Sequence, residues 1–367
     1  MADVASADCG LRRITDEGGA VGGAVDSDIE DIDRSAVVRQ HRRRMRHAVD
    51  PSIFRCCRCC GCVECPLVSE RALVLGGGGA AGNAWLIGVV AGLCDAGLEV
   101  TEADLIIGTS AGSTAAAQIS GAAKPAELFA GILAAAPQPH PQPRARPVGS
   151  GGGRGPNVPV TDHLEKTSRI IAAAEDAADM RRRLGAAALE MDAVLGTAGQ
   201  TQRRAVVAAR LTDRHWPQRP MRIVAVDAHT GEPVVFDRDS GVDLVDAVTA
   251  STAGPGAPAH GIGDNRYIDG GYRSNENVDL AAGYERVLVL SPLGGRTRMP
   301  LEWGMHLAAQ ADELRARGSK VETILPDSES RNAFGSNLMD LSTRTPAARA
   351  GYNQGRALAE QLTEFWR

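Results

Sequence analysis

Residues 72–117 carry the most restrictive pattern in the chain: an apolar run, a glycine cluster, an amphipathic stretch, a second apolar run, and a serine between glycines. Residues 72–75, "ALVL", read as a short buried strand, and Gly76 to Gly79 with Gly82 make a glycine loop. In "NAWLIGVVAGLCDAGL", Trp85, Leu86, Val89, Val90 and Leu93 recur at three- and four-residue steps, which is the helical period. Gly97 suits the C-terminal cap of that helix. "DLIIG" is a second strand, and Gly108-Thr109-Ser110-Ala111-Gly112 then fits G-x-S-x-G, followed by small residues that open another helix. A serine on so sharp a strand-to-helix turn has strained backbone angles. Glycine is required at Gly108 and Gly112 because a side chain there would strike the neighbouring strand or helix. The turn presents the hydroxyl at the positive end of a helix. A plain strand-to-helix turn is the competing reading, since 42 glycines in 367 residues make chance matches common. A βαβ unit of this kind brings both loops to the same sheet edge.

Alternation continues beyond this unit. Residues 137–160 form a Pro/Gly/Arg loop, and the capping-box spacing of Asp162 and Glu165 opens a helical insert reaching about residue 210. Residues 222–227 and 233–236 read as a strand pair around a turn at Thr230-Gly231. Residues 241–252 read as a helix, 286–291 and 321–326 as buried strands, and the tail from Pro346 as a helix. Apolar strands alternating with helices imply an α/β fold with a mainly parallel sheet covered by helices. No internal repeat is visible.

Residues 1–68 have a different character. An acidic stretch (Asp26, Asp28, Glu30, Asp31, Asp33) precedes a basic one (Arg42, Arg43, Arg44, Arg46), with no periodic apolar face, the pattern of a disordered extension. Seven of the eight cysteines lie in the first 65 residues, six of them between Cys56 and Cys65, so they do not spread as a disulfide framework would. The C-x-x-C pairs Cys56/Cys59 and Cys62/Cys65 have zinc-ligand spacing, but no second ligand pair follows, and no metal or cofactor is expected. Palmitoylation is a further reading. The expected folded domain is therefore 69–367, with 137–210 as its loop and insert. A net charge of −5 gives no reason to expect a nucleic-acid partner. No apolar stretch has the length of a membrane span, and no apolar core follows Arg12 and Arg13, so a cytoplasmic location is expected.

The glycine loop has two readings. Gly77 to Gly82 fits G-x-G-x-x-G after a strand, as a dinucleotide site requires, but the second strand ends in Gly108-Thr109-Ser110 rather than in a ribose-binding acid. Alternatively, the backbone N–H groups of Gly77, Gly78 and Gly79 stabilise an oxyanion while Ser110 attacks an ester. A serine nucleophile needs a base. None of the eight histidines sits in a distinctive motif, and His306 is the one that follows Asp269, as a Ser-Asp-His triad would demand. The stronger candidate is Asp269, followed at once by Gly270 and Gly271, although Asp-Gly is also ordinary turn chemistry.

Three elements in fixed order, the triglycine loop, G-x-S-x-G and a distant D-G-G, resemble the patatin-like phospholipases over roughly residues 70–295. The stretch "ASTAGPGAPAHGIGDNRYIDGG" extends the likeness. The resemblance implies a three-layer α/β/α fold, hydrolysis of lipid acyl esters, Ser110 as nucleophile and Asp269 as base, and Gly77, Gly78 and Gly79 as the oxyanion hole. Gly82, Gly108, Gly112, Gly270 and Gly271 complete the motifs. One departure stands out: Ala81 occupies a position where the family often has Lys or Arg. A lipid substrate also implies peripheral contact with a membrane. The candidates are the 137–160 loop, with Arg144, Arg146 and Arg154, and the 161–210 insert. A non-catalytic lipid- or nucleotide-binding module is the remaining alternative.

Overall fold

The structure, a computed structural model, describes residues 68–135 and 160–367. The cysteine- and arginine-rich stretch 1–67, its C-x-x-C pairs, and most of the 137–160 loop with Arg144, Arg146 and Arg154 lie outside the described residues.

Eight strands form one sheet. β1 (Val68–Leu75), β2 (Leu105–Thr109), β3 (Met221–Asp227), β7 (Tyr284–Leu290) and β8 (Lys320–Ile324) are parallel, in the order β3-β2-β1-β7-β8. Their inner positions are apolar on both faces: Leu73, Val74, Ile107, Val224, Leu288 and Val289 are all buried. Only a strand covered by helices on both sides tolerates that pattern. β4 (Pro233–Phe236), β5 (His260–Ile262) and β6 (Asn265–Asp269) are antiparallel additions.

The helices are α1 (Gly79–Asp95), α2 (Ala111–Ile119), α3 (Pro125–Ala134), α4 (Val160–Ala172), α5 (Ala177–Ala208), α6 (Leu244–Ser251), α7 (Leu307–Ala316), α8 (Ser328–Phe334) and α9 (Arg344–Trp366). Two large apolar clusters lie on opposite faces of the sheet. One joins α1, α2, α6 and α9 to Leu73, Leu75, Ile106 and Leu288. The other joins α7 to Ala72, Val74, Ile107 and Val287, which alternate with the first set. A third cluster packs α4 and α5 against Val226 and Ile268. The expected α/β fold with a mainly parallel, helix-covered sheet is what the chain adopts.

The helical insert consists of two helices: Asp176 caps α5 by accepting the Asp179 N–H at 2.7 Å. One local expectation differs. The chain is already helical at Val160, ahead of Asp162, so the capping-box spacing there does not mark the helix start. α5 itself kinks at Gly196, whose φ of +61° takes it out of the helical region.

The register around β3 positions everything that follows. A strand has two edges. β4 pairs with 223–226 along one of them. On the other, β2 ends with Thr109 opposite Val224, and β6 ends with Asp269 opposite Ala225. β2 and β6 therefore run head to head along the same edge of β3 and meet one residue apart.

Candidate active site

Ser110 and Asp269 are the residues that leave those two strand ends. Ser110 takes φ +53° and ψ −118°, left-handed backbone that is rare for a residue with a side chain and costs about 1–3 kcal/mol. The turn is held from several sides. The Ser110 N–H donates to Ser251 Oγ at 3.0 Å, and the Ser110 carbonyl accepts from the Ser113 N–H and hydroxyl at 3.0 and 2.6 Å. A Cβ at Gly108 would lie 2.6 Å from Ser113 Cα, and one at Gly112 only 1.9 Å from the Leu75 carbonyl oxygen. α2 thus presses its backbone against the end of β1 and aims its N-terminus where the serine stands.

The Ser110 hydroxyl donates to Asp269 Oδ2 at 2.7 Å, and the Gly271 N–H donates to Asp269 Oδ1 at 2.8 Å. Asp269 is 6 % exposed. Burial pushes its carboxyl up to about 6, against the pull of the Gly271 N–H, the Ser110 hydroxyl and the nearby Arg203 guanidinium. Arg203 comes from α5, where it makes long contacts to the carbonyls of Pro258 (3.4 Å) and Thr252 (3.5 Å). Gly270 is needed for close approach: a Cβ there would lie 2.2 Å from the Val224 carbonyl oxygen.

The glycine loop lies alongside, a Cβ at Gly77 falling 3.4 Å from Ser110 Cβ. Its three N–H groups are not equivalent. The Gly77 N–H donates to the Asn275 carbonyl at 2.8 Å, whereas those of Gly78 and Gly79 have no partner among the described residues. Gly79 has φ +64° and starts α1, and Gly82 packs on Pro292. The Ala111 N–H, next after the serine, is likewise unpaired at the first turn of α2. β2 ends in Gly108 and Thr109 rather than in an acidic residue.

Several supporting residues escaped the sequence reading. Asn277, in left-handed backbone at φ +56°, donates to Thr109 Oγ1 at 3.0 Å and to the carbonyls of Ser274 (2.7 Å) and Gly270 (3.4 Å), tying the D-G-G turn to β2. Glu276 is buried behind the glycine loop. Its carboxyl, pushed up to about 7 by burial, accepts from the Ser291 hydroxyl at 2.7 Å. The polar run Ser274-Asn275-Glu276-Asn277, two residues after D-G-G, was the available signal. Beside Ala81, Arg344 reaches in from α9 and donates to the Ala80 carbonyl and Asn83 Oδ1 at 3.3 and 3.0 Å, so a cation stands near the loop by another route. His306 lies at the N-cap of α7 with its Nδ1 buried and unpaired, and no histidine among the described residues bonds Ser110 or Asp269.

No curated protein matches the chain. Among solved structures, VipD from Legionella pneumophila aligns with 80 % of this chain and 67 % of its own, at 14 % identity and a TM-score of 0.36, too distant to carry an argument. The family model described as patatin-like phospholipase matches residues 73–282, more than half of the chain and all of the strands that frame Ser110 and Asp269. The chain belongs to the patatin-like phospholipase family, whose members act as lipid acyl hydrolases.

Proposed function

We propose that the protein cleaves carboxylic esters of lipids with a two-residue Ser110–Asp269 machinery. The 2.7 Å hydrogen bond from Ser110 Oγ to Asp269 Oδ2 carries this reading. Ser110 Oγ attacks the ester carbonyl as its proton passes to Asp269 Oδ2. The oxyanion is met by the unpaired N–H groups of Gly78, Gly79 and Ala111, with Gly77 acting as the anchor that ties the loop to Asn275. The carbonyl re-forms, the ester C–O bond breaks, and Asp269 returns the proton to the leaving alkoxide. Water, deprotonated by the same carboxylate, then attacks the acyl-serine; the acyl–Oγ bond breaks, and Asp269 returns the proton to Ser110 Oγ as the acid leaves.

A carboxylate is a weak base for a free hydroxyl. The raised value of about 6 narrows that mismatch while leaving Asp269 ionised at neutral pH. A fluorophosphonate probe tests the assignment. Wild-type protein is expected to be labelled at Ser110 and to hydrolyse soluble esters, and Ser110→Ala to do neither. Absence of labelling in folded wild-type protein would favour a binding module. His306→Ala is expected to keep its activity; near-complete loss would restore the triad reading.

A lipid esterase meets its substrate at an interface. Among the described residues no helix is long and apolar enough to cross a membrane. Peripheral contact through the 137–160 loop and the 161–210 insert is proposed on composition alone. It predicts that Gln at Arg144, Arg146 and Arg154 slows hydrolysis of anionic vesicles far more than that of a soluble ester.

A further inference from the structure

Two segments of chain carry the glycine loop. The first follows the D-G-G turn: the Asn275 carbonyl accepts the Gly77 N–H at 2.8 Å. The second follows β7: the Leu290 carbonyl accepts the Gly76 N–H at 3.0 Å, and a Cβ at Gly78 would lie 2.5 Å from Pro292 Cβ. One side chain joins the two supports. Glu276, next to Asn275, accepts the Ser291 hydroxyl at 2.7 Å, and Ser291 stands between Leu290 and Pro292. Ser291 is fixed in turn, its Oγ accepting the Gly295 N–H at 3.0 Å. The glutamate is 2 % exposed and lies along the loop, its Cγ 3.1 Å from where a Cβ at Gly76 would stand.

We propose that Glu276 is a positioning residue for ester hydrolysis: as a neutral carboxylic acid it fixes the oxyanion loop, and as a carboxylate it opposes the reaction. The proposal rests on the Ser110–Asp269 reading. A buried carboxylate needs a cation or several donors. Glu276 is faced by Gly76 of the loop, by Ser291 after β7 and by its own N–H, and no Lys, Arg or His among the described residues pairs with it. The arginines of the two supporting segments turn elsewhere, Arg273 to Asn277 and Asp279, and Arg296 to the Leu293 carbonyl. Burial therefore pushes the Glu276 carboxyl up to about 7, against the pull of the Ser291 hydroxyl. Ionisation puts a negative charge at the foot of a loop whose N–H groups have to meet a negative charge in the transition state. Glu276 is protonated below about 7, so activity falls as pH rises through that value. Asp269 acts in the opposite direction, because hydrolysis needs it ionised, above about 6. The two carboxyls together confine hydrolysis to a narrow band of pH.

The test is the pH profile of kcat/KM on phenyl butanoate, a soluble ester, with active sites counted by fluorophosphonate labelling. Wild type is expected to give a bell with its alkaline limb near 7. The amide of Glu276→Gln is neutral at every pH, and its Oε1 can still accept from Ser291. The alkaline limb is expected to be absent from this variant, so that its kcat/KM at pH 9 exceeds that of wild type by about tenfold or more. Ser291→Ala removes a donor that favours the ionised form, and is expected to move the limb to higher pH. A contact that served the fold alone would shift neither limb. If Glu276→Gln fails to fold, Ser291→Ala decides. An alkaline limb missing from wild type, retained by Glu276→Gln or unmoved in Ser291→Ala would overturn the role of Glu276 and leave the Ser110–Asp269 reading intact. A wild type that hydrolyses no ester and takes no label would overturn both.

Discussion

Asp269 keeps its proton to about pH 6 in the folded protein and loses it near 3.8 when unfolded. Between those values the folded state binds the extra proton, so this residue makes stability fall as pH rises through that window. The penalty is fully present at pH 8 and is on the order of 3 kcal/mol. Asp269→Asn removes it: the amide oxygen can keep the Gly271 N–H and the amide nitrogen can donate to Ser110 Oγ. The variant is expected to be inactive, yet more resistant to urea than wild type at pH 8, with the gain vanishing below pH 4. Equal urea midpoints at pH 8 would contradict this. Activity follows the opposite course, rising with pH through about 6 as the base ionises. Arg203 favours the ionised form. Arg203→Gln is therefore expected to move the acid limb of kcat/KM to higher pH, with the two profiles converging on the alkaline side. A superimposable limb would show that the cation does not act on Asp269.

At the level of elements, the head-to-head meeting of β2 and β6 on β3 makes the site a product of register. A one-residue slip of β6 would move Asp269 by about 3.3 Å and turn it to the other face of the sheet. The sequence made both strand ends legible, through "DLIIG" before Ser110 and "RYID" before the glycines. It did not make legible that they share an edge of β3, because Ser110 and Asp269 stand 159 residues apart and a common partner strand leaves no local signature. The same limit hid Ser251, Asn275 and Asn277, whose roles depend on groups far away in the chain. Within the insert Asp176 caps α5, whereas the capping-box spacing at Asp162 marks no helix start; both are N-cap residue types, and composition does not rank the two. Close helix contacts were not read from the sequence, because their partners lie far apart in the chain. Gly88 and Gly92 of α1 face the backbone of α9, and Gly351 and Gly355 of α9 face that of α1. A Cβ at any of the four would lie 2.1–2.5 Å from a carbonyl oxygen. Gly355→Leu is expected to cost about 3 kcal/mol or more, the upper end for overpacking, read as a lowered urea midpoint. A neutral result would mean the helices can separate freely.

On the scale of the molecule, the described residues form a continuous core from β1 onward, so a polypeptide beginning at Pro66 is expected to fold and to be labelled at Ser110. Loss of labelling together with loss of cooperative unfolding would show that earlier residues complete the fold. The other end is less dispensable. Trp366 is buried and donates to the Glu99 carbonyl at 3.2 Å, and Trp85 of α1 donates to Ser330 Oγ and to Gln354 Oε1 of α9 at 3.0 and 3.2 Å. α1 carries the glycine loop at its first residue, and among the described elements α9, which follows every other one in the chain, packs against it most extensively. Translation therefore delivers Ser110 early and the support for its oxyanion loop late. A chain made only as far as α8 therefore contains Ser110 without the helix that packs behind its glycine loop, and is expected to take no fluorophosphonate label.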